Sequence, residues 1–377
     1  MPYQQLTYKP MTKIGINATA AFKKRRTGVE EYVYRLLEAV VRLKEAEKQE
    51  FVLYKDRRDQ SELGFVLPKN FTTKEMYSPV AWTQTRLAAE MVFNRPDVLF
   101  IPVHILPPAH PENSIVTIHG LEYEYFPEYY SKLFLRYVRW STKYAAKHAR
   151  RIIAVSEATK NDLVSLYGAK PEKIEVIHHG FLNREAGAGS QNKAQNQKPF
   201  LLYLGRIELK KNILGILEAY QILKNRHQIS HELILAGSPG FGYEKIKNKI
   251  SQMAGLKSQI KNLGHVDEQT KWQLLANADA FLFPSFYEGF GLPILEAQSV
   301  GTPVIAGNIS SMPEIAGAGA ILVNPRSPEE IAAGIYRVLN RKEERKLLIE
   351  RGFANLKRFS WGKCAKETLD VLIDSRP

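Results

Sequence analysis

The sequence has few of the features that stabilise small secreted proteins by disulfides or metal clusters, or that anchor a chain in a bilayer. Its single cysteine, Cys364, excludes an internal disulfide and any metal cluster built from cysteines. No run of eighteen apolar residues occurs, so no membrane-spanning helix is expected. The first residues, 1–13, are polar and lack the apolar core of a signal peptide. We therefore expect a cytoplasmic enzyme.

Acidic residues are scarce relative to basic ones. The chain of 377 residues has 53 lysines and arginines against 39 acids, which gives a net charge of +14. Nucleic acid, anionic lipid and phosphorylated ligands would each suit this excess. No basic sheet motif interleaved with aromatics and no helix-turn-helix pattern is visible, so we expect no nucleic-acid partner. The length is that of two or three domains.

Short apolar runs alternate with helical patterns through the first half of the chain. This alternation predicts a parallel sheet with helices on both faces. The sequence Thr27-Gly-Val-Glu30 has the spacing of a capping box and predicts a helix from Glu30 to Leu43. The predicted strands are Lys13–Asn17, Phe51–Tyr54, Val98–Ile101, Ile115–Ile118, Ile152–Val155 and Ile174–Ile177.

A polar stretch, residues 183–198, is rich in Gly, Ala, Asn and Gln and predicts a linker between two domains. Beyond it the alternation restarts, which predicts a second doubly wound α/β domain. The last predicted helix, Lys363–Asp374, could by sequence alone end the second domain or pack on the first. The predicted strands of the second domain are Phe200–Leu204, Glu232–Ala236, Ala280–Phe283, Pro303–Ala306 and Ala320–Val323.

Two carboxylates, Glu288 and Glu296, stand eight residues apart around a Gly-Phe-Gly turn and a helix start. The glycines and Pro293 place Glu288 on a loop tip and Glu296 inside the following helix. The two acids would therefore bracket the amino end of a helix, which is a natural seat for phosphate. Sugar hydroxyls on one acid and ribose hydroxyls on the other would suit a bound nucleotide-sugar.

Two cations follow the strand that ends before Gly205. The spacing puts Arg206 on the loop after the strand and Lys211 in the first helical turn, so both can point at one anion. Gly205 lets the backbone approach that anion closely. Because no metal site is visible, fixed cations would have to balance the charge of such an anion.

The run from Phe283 to Pro325, which includes Thr302-Pro-Val-Ile-Ala306 and Met312-Pro-Glu-Ile-Ala316, resembles a known family. It is similar to the E-x7-E signature of retaining glycosyltransferases with the GT-B fold, glycosyltransferase family 4, group 1, and the resemblance extends over nearly the whole chain. The resemblance implies two Rossmann-like domains that face each other across a cleft. Residues 1–182 would form the acceptor-side domain, residues 199–359 the nucleotide-sugar domain, and residues 360–377 would return to the first domain.

The resemblance also implies roles for the residues of the motif. Glu288 would contact and orient the donor sugar rather than attack it, Glu296 would bind the ribose, and Arg206 with Lys211 would stabilise the leaving group. His265 and Val266 match a segment that holds the base largely through its backbone. Backbone amides that would serve the sugar and phosphates belong to Gly289, Phe290, Gly291 and Leu292.

Two positions in the first half of the chain are candidates for contact with a substrate. His119, at the end of a strand, takes the place of a histidine that contacts the donor sugar. The family commonly has aspartate after this histidine, whereas this chain has Gly120, so any contact made by that acid is in doubt. Gly28 lies at the start of the first helix, where backbone amides could face the donor phosphate or the acceptor; the alternative is a plain capping glycine.

A basic amphipathic pattern spans Lys132 to Arg150, and no acid occurs from Ser131 to Ser156. Such a helix can lie on an anionic membrane surface; the alternative is a helix packed on the sheet with a solvated basic face. Its basic residues are Lys132, Arg136, Arg139, Lys143, Lys147 and Arg150, and its apolar stripe has Leu133, Tyr137, Trp140 and Tyr144.

We expect a metal-independent hexosyltransferase with no cofactor other than its nucleotide-sugar substrate. The best donor prediction, from overall likeness to bacterial mannosyltransferases, is GDP-mannose; UDP-glucose, UDP-N-acetylglucosamine and dTDP-rhamnose stay open. The acceptor would be a hydroxyl of a glycan or of a glycan on a polyprenyl diphosphate, which peripheral contact with the inner face of a membrane would suit. A nucleotide-sugar epimerase or hydrolase on the same scaffold is the alternative enzyme class.

Overall fold

A computed structural model describes residues 11–26, 28–59, 61–181, 198–253 and 255–375. Of the predicted linker 183–198, only Lys198 is among them, and the capping residue Thr27 lies outside them. None of the helices within these ranges combines the length and the apolar character that a bilayer span requires.

In the described part of the first lobe, seven parallel strands form one sheet with the order β3-β2-β1-β4-β5-β6-β7. Most of these strands are buried on both faces, as expected for a parallel sheet between helices. The strands are β1 (Lys13–Asn17), β2 (Glu50–Asp56), β3 (Phe71–Met76), β4 (Val98–Ile101), β5 (Ser114–Ile118), β6 (Arg151–Ala154) and β7 (Ile174–Val176).

The helices of this lobe are α1 (Gly28–Val40), α2 (Ala88–Phe93), α3 (Glu122–Tyr125), α4 (Lys132–His148) and α5 (Glu157–Tyr167). The predicted bounds of α1 are wrong, because the helix begins at Gly28 instead of Glu30 and ends at Val40. Its buried face, which includes Tyr32 and Leu36, packs on the sheet. Its amino end therefore lies at the carboxyl edge of β1, where ligands bind in such sheets.

Six parallel strands in the described part of the second lobe form a sheet with the order β10-β9-β8-β11-β12-β13. They are β8 (Phe200–Leu204), β9 (Glu232–Ala236), β10 (Ile260–Gly264), β11 (Ala280–Phe283), β12 (Val304–Gly307) and β13 (Ala320–Val323). Its helices are α6 (Ile213–His227), α7 (Tyr243–Gln252), α8 (Glu268–Asn277), α9 (Leu292–Ser299), α10 (Met312–Ala316), α11 (Pro328–Asn340) and α12 (Lys342–Leu356).

Two edge strands, β3 and β10, are absent from the sequence prediction. Only Phe71 and Met76 are buried in β3, and only Ile260 is buried in β10. An edge strand that is covered so little carries almost no apolar signal, and this explains why the pattern missed both.

The last helix, α13 (Trp361–Asp374), crosses from the second lobe back to the first. Ser360 caps it by accepting a hydrogen bond from the Lys363 amide at 3.1 Å. Cys364, Leu369 and Leu372 are buried in the same apolar core as Ile14 of β1 and Leu36 of α1. The expected fold, two Rossmann-like domains with a returning helix, is confirmed, and the alternative that this helix ends the second lobe is wrong.

Candidate active site

The loop from Pro284 to Gly291 carries Glu288 between β11 and α9, at the carboxyl edge of the second sheet. Two serines that precede α10 fix its backbone. Ser310 Oγ donates to the Glu288 carbonyl at 2.6 Å, and Ser311 Oγ donates to the same carbonyl at 2.9 Å and to that of Phe290 at 2.6 Å. The position of Glu288 is thus set by hydrogen bonds rather than by packing alone.

Lys211 meets Glu288 directly. Its Nζ lies 2.6 and 2.7 Å from the two carboxylate oxygens, and the two side chains are only 16% and 11% exposed. Lys211 was expected in the first turn of a helix; it lies instead in a 3-10 turn, Leu209–Lys211, just before α6. The structure therefore brings together the predicted leaving-group cation and the predicted sugar-binding acid.

Asn212, which the sequence analysis did not single out, directly follows Lys211 and connects its turn to the loop that carries Glu288. Its backbone is left-handed, with φ 59°, and its side-chain amide donates to the carbonyls of Pro284 at 3.0 Å and Pro325 at 2.6 Å. Its Oδ1 accepts from the Gly215 amide and caps α6. An asparagine before a helix signals only a cap, so its bridging role could not be predicted.

Arg206 lies exposed on the loop after β8. Its guanidinium forms no ion pair with any residue in the described ranges, so it is available to an incoming anion. Gly205 and Gly237 let the neighbouring backbones approach: a β-carbon added at Gly237 would lie 1.8 Å from the Gly205 carbonyl oxygen. Gly205 itself has φ 145°, where glycine is favoured.

Glu296 lies on the other side of the start of α9, and its partner is Lys271 of α8, at 3.0 Å. Although burial opposes the charge, the carboxylates of Glu296 and Glu268 raise the pKa of Lys271. Both residues line an open cavity of about 400 Å³ between the lobes. The described residues around it also include Lys24, Arg26, Phe181, Trp272, Leu292 and Trp361, but not Glu288, Lys211 or Arg206.

Of the four charged residues predicted for the site, Lys211 and Glu288 pair with each other, Glu296 pairs with Lys271, and Arg206 is unpaired among the described residues. The pairs flank the amino end of α9, as the spacing of the two acids predicts. No group of three or more His, Cys, Asp or Glu suited to a metal ion occurs in the described part of the chain.

His119 is neutral and fixed. Burial, followed by the neighbouring His104, lowers the pKa of His119 to about 3. Its Nε2 donates to the Pro102 carbonyl at 2.8 Å, which leaves Nδ1 as the acceptor. At this position the ring can accept a hydrogen bond from a hydroxyl, but it supplies no charge.

The structure explains why a glycine, rather than an aspartate, follows His119. Gly120 has φ 142°, and a β-carbon there would lie 3.0 Å from the Cα of Gly289 in the opposite lobe. An aspartate would bring both a strained backbone and a clash. At the position where the family commonly has an aspartate, this chain therefore has a close contact between the two lobes.

The loop that carries Glu288 is tied to the first lobe at several points. Ser156 Oγ donates to the Gly289 carbonyl at 2.8 Å, and the Leu121 amide donates to Tyr287 Oη at 2.8 Å. Tyr287 Oη in turn donates to Asp162 at 2.8 Å. The carboxyl edges of the two sheets consequently face each other at contact distance, with this loop between them.

Four other predicted residues, Gly28, His265, Val266 and Phe290, are not among the described residues that line the cavity. Gly28 opens α1 with no other atom within 4 Å of an added β-carbon, and it adjoins the cavity residues Lys24 and Arg26. His265 and Val266 form the turn between β10 and α8, with His265 exposed. Phe290 is buried against the first lobe, where its ring stacks on His179. Its buried position was not anticipated.

Comparison with known proteins decides the family. The model for glycosyl transferases group 1 matches residues 189–354, and that for glycosyltransferase family 4 matches residues 26–181. The O-antigen chain mannosyltransferase B of Escherichia coli is 31% identical over 267 residues, which is 69% of this chain and 70% of that protein. The chain belongs to the group 1 glycosyltransferases of family 4. It is therefore an enzyme that transfers a glycosyl group.

Other relatives and solved structures agree with this assignment. The MMP alpha-(1->4)-mannosyltransferase of Mycolicibacterium hassiacum is 25% identical over 61% of this chain and 55% of that protein. The Anabaena protein Alr3699/HepE, solved with UDP and glucose, has a TM-score of 0.69 at 18% identity and covers 97% of this chain and 100% of that chain. Sucrose-phosphate synthase of Thermosynechococcus elongatus has a TM-score of 0.73 at 18% identity, over 96% and 98%. At such identities the two structures establish the fold of this glycosyltransferase.

Gly289→Ala is expected to hold the lobes of this glycosyltransferase apart. The added β-carbon would lie 1.7 Å from the His119 carbonyl oxygen, so the closed arrangement should lose about 1–3 kcal/mol of stability. Small-angle X-ray scattering should show a larger radius of gyration at unchanged helix content. Gly362→Ala, with open space around its β-carbon, is the control. Identical scattering from both variants would contradict the lobe contact.

Proposed function

We propose that this glycosyltransferase moves mannose from GDP-mannose, with retention of the anomeric configuration and without a metal ion, to a hydroxyl of a glycan or lipid-linked glycan. The observation that carries the chemistry is the Lys211–Glu288 pair near the amino end of α9, with the exposed Arg206 on the loop after β8 as a further cation. Likeness to mannosyltransferases of 31% and 25% identity supports the sugar.

The proposed step is a substitution on one face of the sugar. The bond between the anomeric carbon and the phosphate oxygen breaks, and the acceptor oxygen bonds to the same carbon from the same side. The acceptor proton passes to the departing phosphate oxygen, so the sequence of bonds needs no protein nucleophile. Arg206, Lys211 and the dipole of α9 would stabilise the negative charge that develops on the diphosphate.

Glu288 fits an orienting role better than an attacking one. Its two oxygens already bind the Lys211 ammonium, and its carbonyl is held by two serines. A carboxylate that is paired and fixed in this way can accept hydrogen bonds from sugar hydroxyls and stabilise positive charge on the anomeric carbon. Glu296 would bind the ribose after exchanging its contact with Lys271.

UDP-glucose is the second candidate donor. The structural neighbour from Anabaena has been solved with UDP-glucose, and its fold matches over nearly the whole chain. The turn at His265 and Val266, which would hold the base through its backbone, is open to either base.

Donor screening tests the proposed function. Nucleotide release should be fastest from GDP-mannose among GDP-mannose, UDP-glucose, UDP-N-acetylglucosamine and dTDP-rhamnose, and NMR of the product should show a retained α-anomer. Strong activity with a UDP-sugar alone would remove the mannose assignment, and free sugar as the main product would favour a hydrolase.

Glu288→Gln should lower turnover by about a hundredfold, because the sugar loses a charged partner, while GDP affinity stays near that of the wild type.

Lys211→Ala should lower both nucleotide affinity and turnover. The loss of one fixed cation at the leaving group is expected to cost about 3–4 kcal/mol in the transition state. Lys210→Ala is a matched control, since that neighbouring lysine is equally covered but pairs with Glu208 at 3.6 Å. A wild-type rate in Lys211→Ala would place this cation outside the reaction.

We further propose that α4 rests on an anionic membrane surface, where a lipid-linked acceptor would be presented. Its outward face has a basic stripe of Arg136, Lys143 and Lys147 beside an apolar stripe in which Leu133 is 78% and Trp140 49% exposed. Arg139 does not belong to this face, because it pairs with Glu124 at 2.7 Å.

Neighbouring side chains extend this surface. Gln84, next to α2, donates to Tyr137 Oη at 3.0 Å, and the exposed Tyr77 and Val80 precede it. Trp140 and Tyr144 stack along the helix with ring centroids 5.6 Å apart. Aromatic rings at an interface and lysines that reach anionic headgroups are the usual components of peripheral binding.

Binding to vesicles tests this surface. The wild type should co-sediment with vesicles of phosphatidylglycerol and phosphatidylcholine, and not with phosphatidylcholine alone. The triple variant R136E/K143E/K147E should bind on the order of a hundredfold more weakly, because each basic residue near the surface contributes about 1 kcal/mol. The control K342E/K346E/K357E changes the net charge equally on the second lobe. Equal losses in both variants would reduce the effect to net charge and refute a specific surface.

A further inference from the structure

His179 is a buried imidazole without a hydrogen-bond partner. It is 5% exposed, and neither Nδ1 nor Nε2 has a partner among the residues that the structure describes. Burial, followed by the neighbouring His119 and His178, lowers the pKa of His179 well below its usual value. The ring is therefore neutral, yet it still carries one N–H donor and one acceptor nitrogen. Such a group is costly to bury unpaired and needs an explanation.

Three other histidines around the same joint provide a comparison. His104 donates to the Gly120 carbonyl at 3.1 Å, and His119 donates to that of Pro102 at 2.8 Å. His178 bonds to Glu314 at 2.5 Å. Each of these rings has a polar partner in the folded chain, whereas His179, which is buried more deeply, has none within the described residues.

The ring of His179 lies where both lobes and the returning helix meet. It is sandwiched between Tyr32 of α1 and Phe290 of the Glu288 loop, each with a centroid distance of 4.6 Å. His119 approaches its edge at 5.4 Å, and Trp361 stacks beyond at 6.2 Å. Trp361 and the next residue, Gly180, line the cavity between the lobes. The imidazole thus stands directly behind the wall of the cleft.

Stacking alone does not account for a histidine at this position. A phenylalanine would stack on Tyr32 and Phe290 as well and would leave no polar atom unpaired. Because Phe290 belongs to the second lobe, its contact with His179 forms only when the lobes are closed. In the arrangement with Phe290 on the ring, both nitrogens are buried and neither has a partner among the described residues.

We propose that His179 is a substrate-binding residue whose imidazole hydrogen-bonds a hydroxyl of the transferred sugar. A hydroxyl both donates and accepts, as a neutral imidazole does, whereas a phosphate would be matched by the cations Arg206 and Lys211. The aromatic ring of Trp361, which lines the cavity next to it, suits the C–H face of a sugar. The inference rests on the proposed function, since it names a contact to the sugar of that donor.

The consequence is a coupling between the sugar and closure. A donor that carries the sugar would supply the partner that His179 lacks in this arrangement, and a nucleoside diphosphate without the sugar would not. The enzyme would then close more completely around the intact donor than around its product. This difference favours release of the product after transfer.

Binding measurements with His179→Phe test the proposal. Isothermal titration with GDP and GDP-mannose, and with UDP and UDP-glucose as the second pair, should give a variant that binds the nucleoside diphosphate within twofold of the wild type. The nucleotide-sugar that the wild type prefers should bind about tenfold more weakly, because one hydrogen bond to a buried group is lost. His179→Gln, which keeps a donor and an acceptor, should recover part of that loss.

Further outcomes separate the possibilities. His227→Phe is the matched control, since His227 also stacks on a ring, Tyr336, but at the end of α6. Equal affinity of His179→Phe and wild type for the nucleotide-sugar overturns the His179 assignment alone. An equal loss for diphosphate and nucleotide-sugar in both His179 variants assigns the residue a packing role and also overturns it. If the wild type binds neither nucleotide-sugar, the proposed function fails and this contact fails with it.

Discussion

The arrangement of the site depends on one close backbone contact between the lobes. The carbonyl oxygen of His119 in the first lobe lies where a β-carbon at residue 289 of the second lobe would have to be. The two lobes therefore meet here only because residue 289 is glycine. The contact lies one residue from Glu288 and at the end of β5. It therefore fixes the distance between the neutral histidine of the first lobe and the paired acid of the second.

Hydrogen bonds on both sides of the contact make it specific. Ser156 reaches the Gly289 carbonyl, and Tyr287 bridges the Leu121 amide and Asp162. These groups would be solvated in separated lobes, so each bond favours closure only modestly. A weakly closed cleft of this kind can open for substrates and still assemble the same geometry each time.

The sequence predicted the interior of both sheets well, because strands such as β1, β4 and β11 are buried on both faces and appear as continuous apolar runs. It missed β3 and β10, whose side chains are largely exposed. Within the site, Glu288 and Lys211 follow neighbouring strands β11 and β8, so their meeting could be expected from topology. Lys271, Asn212 and His179 could not be found, since their roles arise from contacts between distant segments that leave no local pattern.

The returning helix α13 has a consequence for how the protein is made. Its residues Cys364, Leu369 and Leu372 complete the core that includes Ile14, so the lobe that comes earlier in the sequence lacks part of its interior until α13 has been synthesised. The second lobe, by contrast, is continuous and can fold as soon as it leaves the ribosome. The core of the first lobe is thus completed only after the second lobe has been made, and loss of the fourteen residues of α13 would expose part of that core.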